Sequence, residues 1–495
     1  GKTGGWPLTI FMSPDKLPFF AGTYFPNKDK YGLPSFRYIL KKVVEFYNNQ
    51  KQDIEQQNTT IIKIFNSLNT KNISENTFNI ELINKAKLNM LNNIDKIHGG
   101  FGSAPKFPHS NNLMFLFNNL NDNETDQLNS LSHTLERMCF GGIYDHLDGG
   151  FFRYSVDDLW MIPHFEKMLY DNGPLIEVLC CAYKQTQNII FLDKAKQTSE
   201  WVINKMQSID GGFFSTIDAD SENIEGKYYV WEKSELEIIL NKKEINMIKN
   251  CYFVDDKPNF EGKYHFHITN SNKKYYLENK LEINKINTKL LNVRIKRTQP
   301  NIDKKILVSW NALVIIGLIN TYKLTGNIKF YSSAKKCFEF IKNNLWLNEK
   351  LFSCFNNGAS FDAYLDDHVF LLKANLELLK IKWSLENYNF AKKLANIIIN
   401  KFQDEKNGGF YFTSNDHEEL IYRPKNYMDE SLPSGNSIAI ETLIELGFLE
   451  GNQRYINIAK KAMLSASDSV SRSINSHASL LSSSLGIIHN KRIII

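Results

Sequence analysis

The alternation of apolar and polar positions divides the chain into a short strand-rich start and a long helical remainder. Leu8-Thr9-Ile10-Phe11-Met12 is a β-prone run, Ser13-Pro14-Asp15-Lys16 is turn chemistry, and Leu17-Pro18-Phe19-Phe20-Ala21-Gly22 returns, so a hairpin is expected. A helix is predicted from about Ser35 to Tyr47, with Phe36, Ile39, Leu40, Val43 and Phe46 on one face. The stretch from Asn48 to Asn79 is rich in Asn, Gln and Lys and reads as a solvated connector with some helix. From Ile80 the period becomes helical. Trp310, Leu313, Val314, Gly317, Leu318 and Tyr322 form one stripe, Thr325-Gly326-Asn327 turns the chain, and Tyr331, Ala334, Phe338, Ile341 and Leu345 form the return stripe. The same plan recurs over Leu175–Met206, Leu365–Phe402 and Ser437–Leu464, giving about twelve helices in six hairpins on periodicity.

One punctuation mark repeats among these hairpins. Gly99-Gly100-Phe101, Gly149-Gly150-Phe151, Gly211-Gly212-Phe213 and Gly408-Gly409-Phe410 each adjoin a helix. Paired glycines permit positive φ at a helix C-terminus and a tight turn into a strand. Repetition of this kind signals a repeat architecture, in which helical faces are buried by stacking or by closing into a ring. Six closing hairpins make an (α/α)6 toroid, and an open helical array is the alternative. The divisions expected are residues 1–48, a connector at 49–79, the toroid at 80–470, and a further segment opening at 471–495.

Composition narrows the function classes. The chain has 495 residues, 42% hydrophobic, 23% charged and 13% aromatic, which excludes disorder of the whole. No apolar run approaches the about 20 residues of a membrane span. The net charge of +5 comes from 59 basic and 54 acidic residues with no basic block, so nucleic acid is not an expected partner. Six cysteines without Cys-x-x-Cys spacing make no disulfide framework, and a reducing, cytoplasmic setting is expected. Gly1 reads like mid-domain sequence, and Lys491-Arg492-Ile493-Ile494-Ile495 reads like the start of a strand, so a piece of a longer protein is expected.

Chemistry concentrates in five sets. The densest runs from Gly141 to Asn172 and includes His146, Arg153, Trp160, His164, Glu166, Tyr170 and Asp171. Aromatic platforms beside carboxylates and an Arg suit sugars, whose faces stack and whose hydroxyls hydrogen-bond. Equally, such groups can simply hold loops together. The second set is Asp218, Asp220 and Glu222 followed by Tyr228, Tyr229 and Trp231, with acids at alternate positions suiting a cation or sugar hydroxyls. The third is Asp303, Lys304, Lys305, Trp310 and Asn311; the fourth is Asp362, Tyr364, Asp366, Asp367 and His368; the fifth runs from Asp429 to Ser437 and includes Glu430 and Asn436. All lie at helix starts or the loops before them, so a toroid would let them converge at one mouth. Pro163 before His164 and Glu166 suggests a helix N-terminus, whose partial positive charge would favour an ionised Glu166 and a neutral His164. His265-x-His267 lacks a third ligand, and no metal or cofactor motif is present.

Several motifs together resemble a known family. Gly4-Gly5-Trp6-Pro7-Leu8-Thr9-Ile10-Phe11, Pro18 to Pro26, Gly102 to Pro108, His164 to Asn172, Asp218 to Glu222 and Pro433-Ser434-Gly435-Asn436-Ser437 resemble the thioredoxin-domain proteins typified by the spermatogenesis-associated protein and its bacterial homologues. The resemblance implies a thioredoxin-like domain followed by a six-hairpin toroid of the kind found in glycosidases and N-acylglucosamine 2-epimerases. The fold class expected is mainly α: an (α/α)6 toroid preceded by a partial thioredoxin-like α/β domain. It also implies a Cys-containing segment upstream of Gly1, with Trp6-Pro7 as the cis-proline corner facing it. This chain alone is therefore not expected to do dithiol chemistry.

The leading expectation is a carbohydrate-active toroid with a small-molecule, sugar substrate. An epimerase needs a base beside a carbonyl and an acid to return the proton, for which His146 or His164 is available. A hydrolase needs two carboxylates, about 5–5.5 Å apart if retaining and about 6.5–9.5 Å if inverting. Glu166, Asp218, Asp220 and Asp367 are the candidates. Substrate contacts are expected from Arg153, Trp160, Tyr170, Asp171, Trp231, Trp310, Asn311, Glu430 and Asn436. The alternatives are a redox-coupled protein whose toroid holds a client or glycan while a thiol-redox partner acts, and a toroid that is purely structural.

Overall fold

The computed structural model describes residues 8–30, 32–69, 78–121, 123–252 and 257–488. The Trp6-Pro7 corner, residues 70–77 of the expected connector and the strand-like tail at 491–495 lie outside the described residues.

Strands β1 (Thr9–Met12) and β2 (Pro18–Gly22) pair antiparallel with Phe11 opposite Phe20, as the turn chemistry between them predicts. Helices α1 (Phe36–Asn49) and α2 (Lys51–Asn69) follow. The segment expected as a solvated connector is thus largely helical, and Ile54 of α2 joins Phe19 and Val43 in a small core.

Beyond it come α3 (Ile80–Asn92), α4 (Ser110–Asn118), α5 (Thr125–Phe140), α6 (Leu169–Thr186) and α7 (Ile189–Trp201). An insertion carries α8 (Lys233–Ile239), α9 (Lys242–Tyr252), α10 (Asn270–Glu278) and α11 (Lys280–Arg294). The ring resumes with α12 (Val308–Thr325), α13 (Ile328–Asn344), α14 (Leu365–Leu379), α15 (Leu385–Ile397), α16 (Gly435–Glu450) and α17 (Gln453–Ser465), and ends with α18 (Ser467–Arg472) and α19 (Ala478–Ile488). Helices α4, α6, α12, α14, α16 and α19 each pack on the next, and α19 returns to α4. That closed inner ring, with α3, α5, α7, α13, α15 and α17 outside it, is the (α/α)6 toroid. Sequence distinguishes the two layers. Inner α12 is buried nearly all round, whereas outer α13 buries only the stripe through Phe330, Ala334, Cys337, Phe338 and Ile341. Two expectations are corrected here. The described chain from Ile80 holds seventeen α-helices rather than about twelve, because the four helices of the insertion and α18 lie outside the ring of twelve. Residues 478–488, expected in a separate segment, supply the sixth inner helix.

The Gly-Gly-Phe marks prove to be one repeated device. Each Phe forms a β-bridge with a residue just before the turn: Ile94 with Phe101, Tyr144 with Phe151, Gln207 with Phe213, and Gln403 with Phe410. Both glycines have φ between +73° and +89° in three of the four turns, where a β-carbon would be strained. In those three turns a lysine joins an aspartate to the first glycine's carbonyl. Lys106 contacts Asp95 and Gly99 O at 2.6 and 2.9 Å. Lys167 contacts Asp145 and Gly149 O, both at 2.8 Å, and Lys425 contacts Asp404 and Gly408 O at 2.8 and 3.0 Å. At three of the four Phe residues, those in the turns at Gly149, Gly211 and Gly408, an asparagine early in the next inner helix clamps the Phe backbone. Asn172 holds Phe151, Asn311 holds Phe213 and Asn436 holds Phe410, each accepting the N–H at 2.7 Å and donating to the carbonyl.

The N-terminal unit touches the toroid where Phe65 of α2 stacks on Tyr422, ring centroids 5.4 Å apart. The ring nevertheless has its own continuous core, from Phe78 to Leu481. A chain beginning near Asn76 is therefore expected to unfold in one cooperative transition without binding a hydrophobic dye. A molten, dye-binding product would make the N-terminal unit an integral wall of the ring.

Candidate active site

Inner helices α6, α12, α14 and α16 begin around one cavity of about 410 Å³. Its lining includes Tyr170, Trp310, Asp366 and Asn436, each within the first three residues of its helix, together with Arg153, Phe412 and Glu430 from the preceding loops. The Tyr170 and Trp310 rings meet edge to face with centroids 4.7 Å apart. Arg153 donates to Glu166 at 3.3 Å. Behind Tyr170, Asp171 has a buried Oδ2 with no hydrogen-bond partner. Burial pushes the Asp171 carboxyl well up, against the pull of Arg153. Burial, with Asp171 beside it, also raises the Tyr170 hydroxyl to about 12.

Asp366 is the chemically distinctive group. Burial raises its carboxyl to about 7, with Asp367 and Glu430 adding repulsion, and no hydrogen bond to its side chain is present among the described residues. Gly435 makes room for it, because a β-carbon there would lie 2.1 Å from Asp366 Oδ1. A carboxyl near 7 holds both protonation states at neutral pH and can give or take a proton.

Five of the expected substrate contacts, Arg153, Tyr170, Trp310, Glu430 and Asn436, line this cavity, although Asn436 also spends its side chain on Phe410. Others lie elsewhere. Asn311 clamps Phe213, and Trp160 is fully buried with its indole N–H donating to Gly99 O. Trp231 is fully buried in the insertion's core, stacked on Phe266 and covered by Arg297.

The expected catalytic residues are placed differently from what their spacing suggested. His164 and Glu166 are not at a helix N-terminus. Pro163–His164 pairs with Tyr154–Ser155, Lys167–Met168 pairs with Thr216–Ile217, and the helix starts only at Leu169. His164 bonds Glu225 at 2.7 Å, lies 4.0 Å from Glu166 and stacks on Tyr154. Glu166 reaches the cavity only through Arg153. His146 Nε2 lies 3.1 Å from Phe140 O and 2.9 Å from Gly141 O, and burial, with Lys194 nearby, holds the ring neutral. Asp218 and Asp220 are exposed beside a small hairpin outside the cavity. Asp367 turns its carboxylate to backbone, accepting Ser309 N–H at 3.1 Å and Tyr364 N–H at 3.0 Å. It is the neighbouring Asp366 that faces the cavity. Position in the helix separates the two acids: Asp367 is the third helical residue, where a carboxylate reaches back to the cap. Among the described residues no group of three or more His, Cys, Asp or Glu could hold a metal ion. His265 instead meets Gly142 O at 2.7 Å.

Comparison with known proteins agrees with this architecture. A family model described as Thioredox_DsbH, protein of unknown function, DUF255, matches residues 1–66. The Caenorhabditis elegans protein B0495.5 is 31% identical over 94% of this chain and 69% of its own length. Human spermatogenesis-associated protein 20 is 26% identical over 92% of this chain, which spans 64% of that protein. The chain belongs to the spermatogenesis-associated protein 20 family. Among solved structures, the cellobiose 2-epimerase from Spirochaeta thermophila has a TM-score of 0.51 at 11% identity, covering 77% of this chain and 83% of that one. The GH76 alpha-mannanase BT2949 from Bacteroides thetaiotaomicron has a TM-score of 0.50 at 11% identity, covering 83% and 97%. At such identities the likeness is one of fold, the six-hairpin toroid. Among the described residues no helix is long and apolar enough to cross a membrane.

Proposed function

We propose that the cavity at the inner-helix N-termini binds and chemically alters a small carbohydrate, with Asp366 transferring the proton. The observation that carries this reading is an open cavity where Tyr170 and Trp310 offer ring surface beside a carboxyl raised to about 7. Arg153 is placed to bond hydroxyls, and Glu430 is a second carboxylate at the rim. The cavity holds the kinds of group that two reaction types use. Epimerisation needs one proton shuttle beside a carbonyl, and glycoside hydrolysis needs the carboxyl pair. The proteins of similar fold, a cellobiose 2-epimerase and an alpha-mannanase, favour this choice of chemistry. The experiment is a panel of mono- and disaccharides incubated with the full chain and analysed by proton NMR. Conversion of a sugar, lost in Asp366→Asn and weakened in Trp310→Ala, supports the reading. Conversion that survives in folded Asp366→Asn rejects it.

A second reading, a toroid that holds a client for thiol chemistry, is favoured by the Phe65–Tyr422 contact between α2 and the loop that walls the cavity. In it the chemistry belongs to another protein or segment, because all six cysteines here are free and only Cys181 is not buried. Burial raises even the Cys181 thiol to about 11. Native protein at pH 7 is therefore expected to react slowly with a thiol reagent at all six positions, and quickly only after unfolding. A rapidly reacting native thiol would contradict this assignment.

A further inference from the structure

The charges around the cavity do not cancel. Arg153 is the one cation among the described lining residues, and it is already committed: it bonds Glu166 at 3.3 Å and faces buried Asp171. Asp366 at the floor and Glu430 at the rim remain, and among the described residues neither side chain has an ion pair or a hydrogen bond. Burial is the largest cause of the raised Asp366 carboxyl; the charged groups acting on it are Asp367 and Glu430, both acidic, with no cation offsetting them. A carboxyl recessed in a cavity without a protein donor takes its donor from water or a ligand, and a cationic donor satisfies it most strongly. Resting on the carbohydrate reading above, we propose that the cavity selects an amine-bearing sugar, whose ammonium group lies between Asp366 and Glu430. In that position the ammonium also favours the ionised form of Asp366, readying it as a base. Tyr170 and Trp310 would carry the apolar face of the ring, and Arg153 the hydroxyls.

The test is calorimetric titration of the full chain at pH 7 with glucosamine, glucose, N-acetylglucosamine and glucuronate. Glucosamine is expected to bind about tenfold or more tighter than glucose, as a charge-assisted hydrogen bond would give. N-acetylglucosamine should follow glucose, and glucuronate should be weakest. Glu430→Gln, at an exposed rim position that leaves folding intact, should bring glucosamine close to glucose, as should Asp366→Asn. Equal binding of glucosamine, glucose and N-acetylglucosamine overturns the amine preference and leaves the carbohydrate site standing. Tightest binding of glucuronate overturns it in favour of Arg153. Failure of all four sugars to bind removes both this inference and the reading on which it rests.

Discussion

Asp366→Asn is expected to abolish turnover while making the protein more stable above neutral pH. General acid–base groups contribute about 10²–10⁴-fold to rate, and no other group in the cavity combines position with a carboxyl raised to about 7. The stability effect has the opposite sign. The Asp366 carboxyl rises from 3.8 to about 7 on folding, so the folded chain binds the proton more tightly than the unfolded one. Stability from this group is greatest below the unfolded value and is lost as pH rises through the folded one. By pH 8 the shift corresponds to a penalty on the order of 1–4 kcal/mol. Asparagine fits the same space and cannot ionise. Its melting midpoint should therefore exceed the wild type's at pH 8 and converge with it near pH 4, as measured by calorimetry. Equal midpoints at both pH values would mean that Asp366 titrates like a solvated acid, and its role as proton carrier would fall with that result.

The second large effect is expected in the Asp-Lys brackets. Asp145 is 4% exposed and faces Lys167 and Arg294, which are 1% and 2% exposed. Burial alone would raise its carboxyl, but Arg294 and Lys167 outweigh that and hold it well below the usual carboxylate range. Asp145→Asn leaves two buried cations without their counter-charge, a change that costs about 3–5 kcal/mol. Asp404→Asn strands Lys425 alone and should cost less. Asp95→Asn should cost least, because the Asp95 side chain is 22% exposed and water can replace part of it. The order 145, 404, 95 is expected in denaturant midpoints at pH 7. The contribution of Asp145 is present above the unfolded carboxylate value and is lost only as pH falls below about 4. Small and equal losses in all three variants would show that the glycine turns hold without their brackets.

Much of the toroid is legible in the sequence because its determinants are local. The stripe on α13, the Gly326 turn and the paired glycines fix hairpins from short-range pattern alone. Ring closure is not local. Helix α19 carries Ser479, Ser482, Ser483 and Ser484, and its local pattern does not mark it as the sixth inner helix rather than part of a further segment. In the ring, Ser483 donates to Ser437 O and Ser484 to Leu481 O, so their hydroxyls are satisfied inside the fold. The start of α6 differs from its local signal for a related reason: Pro163 is a helix-start signal, but pairing with Tyr154–Ser155 and Thr216–Ile217 delays the helix to Leu169. Nothing in the local sequence marks the three bracket lysines as structural, although Lys106 and Lys167 fall within the family-like motifs. They sit at unequal distances from their aspartates, 95 to 106, 145 to 167 and 404 to 425, and a lysine in a loop ordinarily reads as solvated. Convergence at helix starts was legible. The choice of Asp366 over Asp367 needed the phase of one helix turn.

A crystal structure of the full chain soaked with glucosamine, in parallel with Asp366→Asn, tests the central claim most directly. The account predicts a sugar ring against Tyr170 and Trp310 with its polar groups within hydrogen-bond distance of Asp366 and Arg153. The large apolar groove at the opposite end of the ring, lined by Leu379, Trp383, Phe448 and Leu485, should stay empty of sugar. Sugar density in that groove with none at the inner-helix N-termini would contradict it.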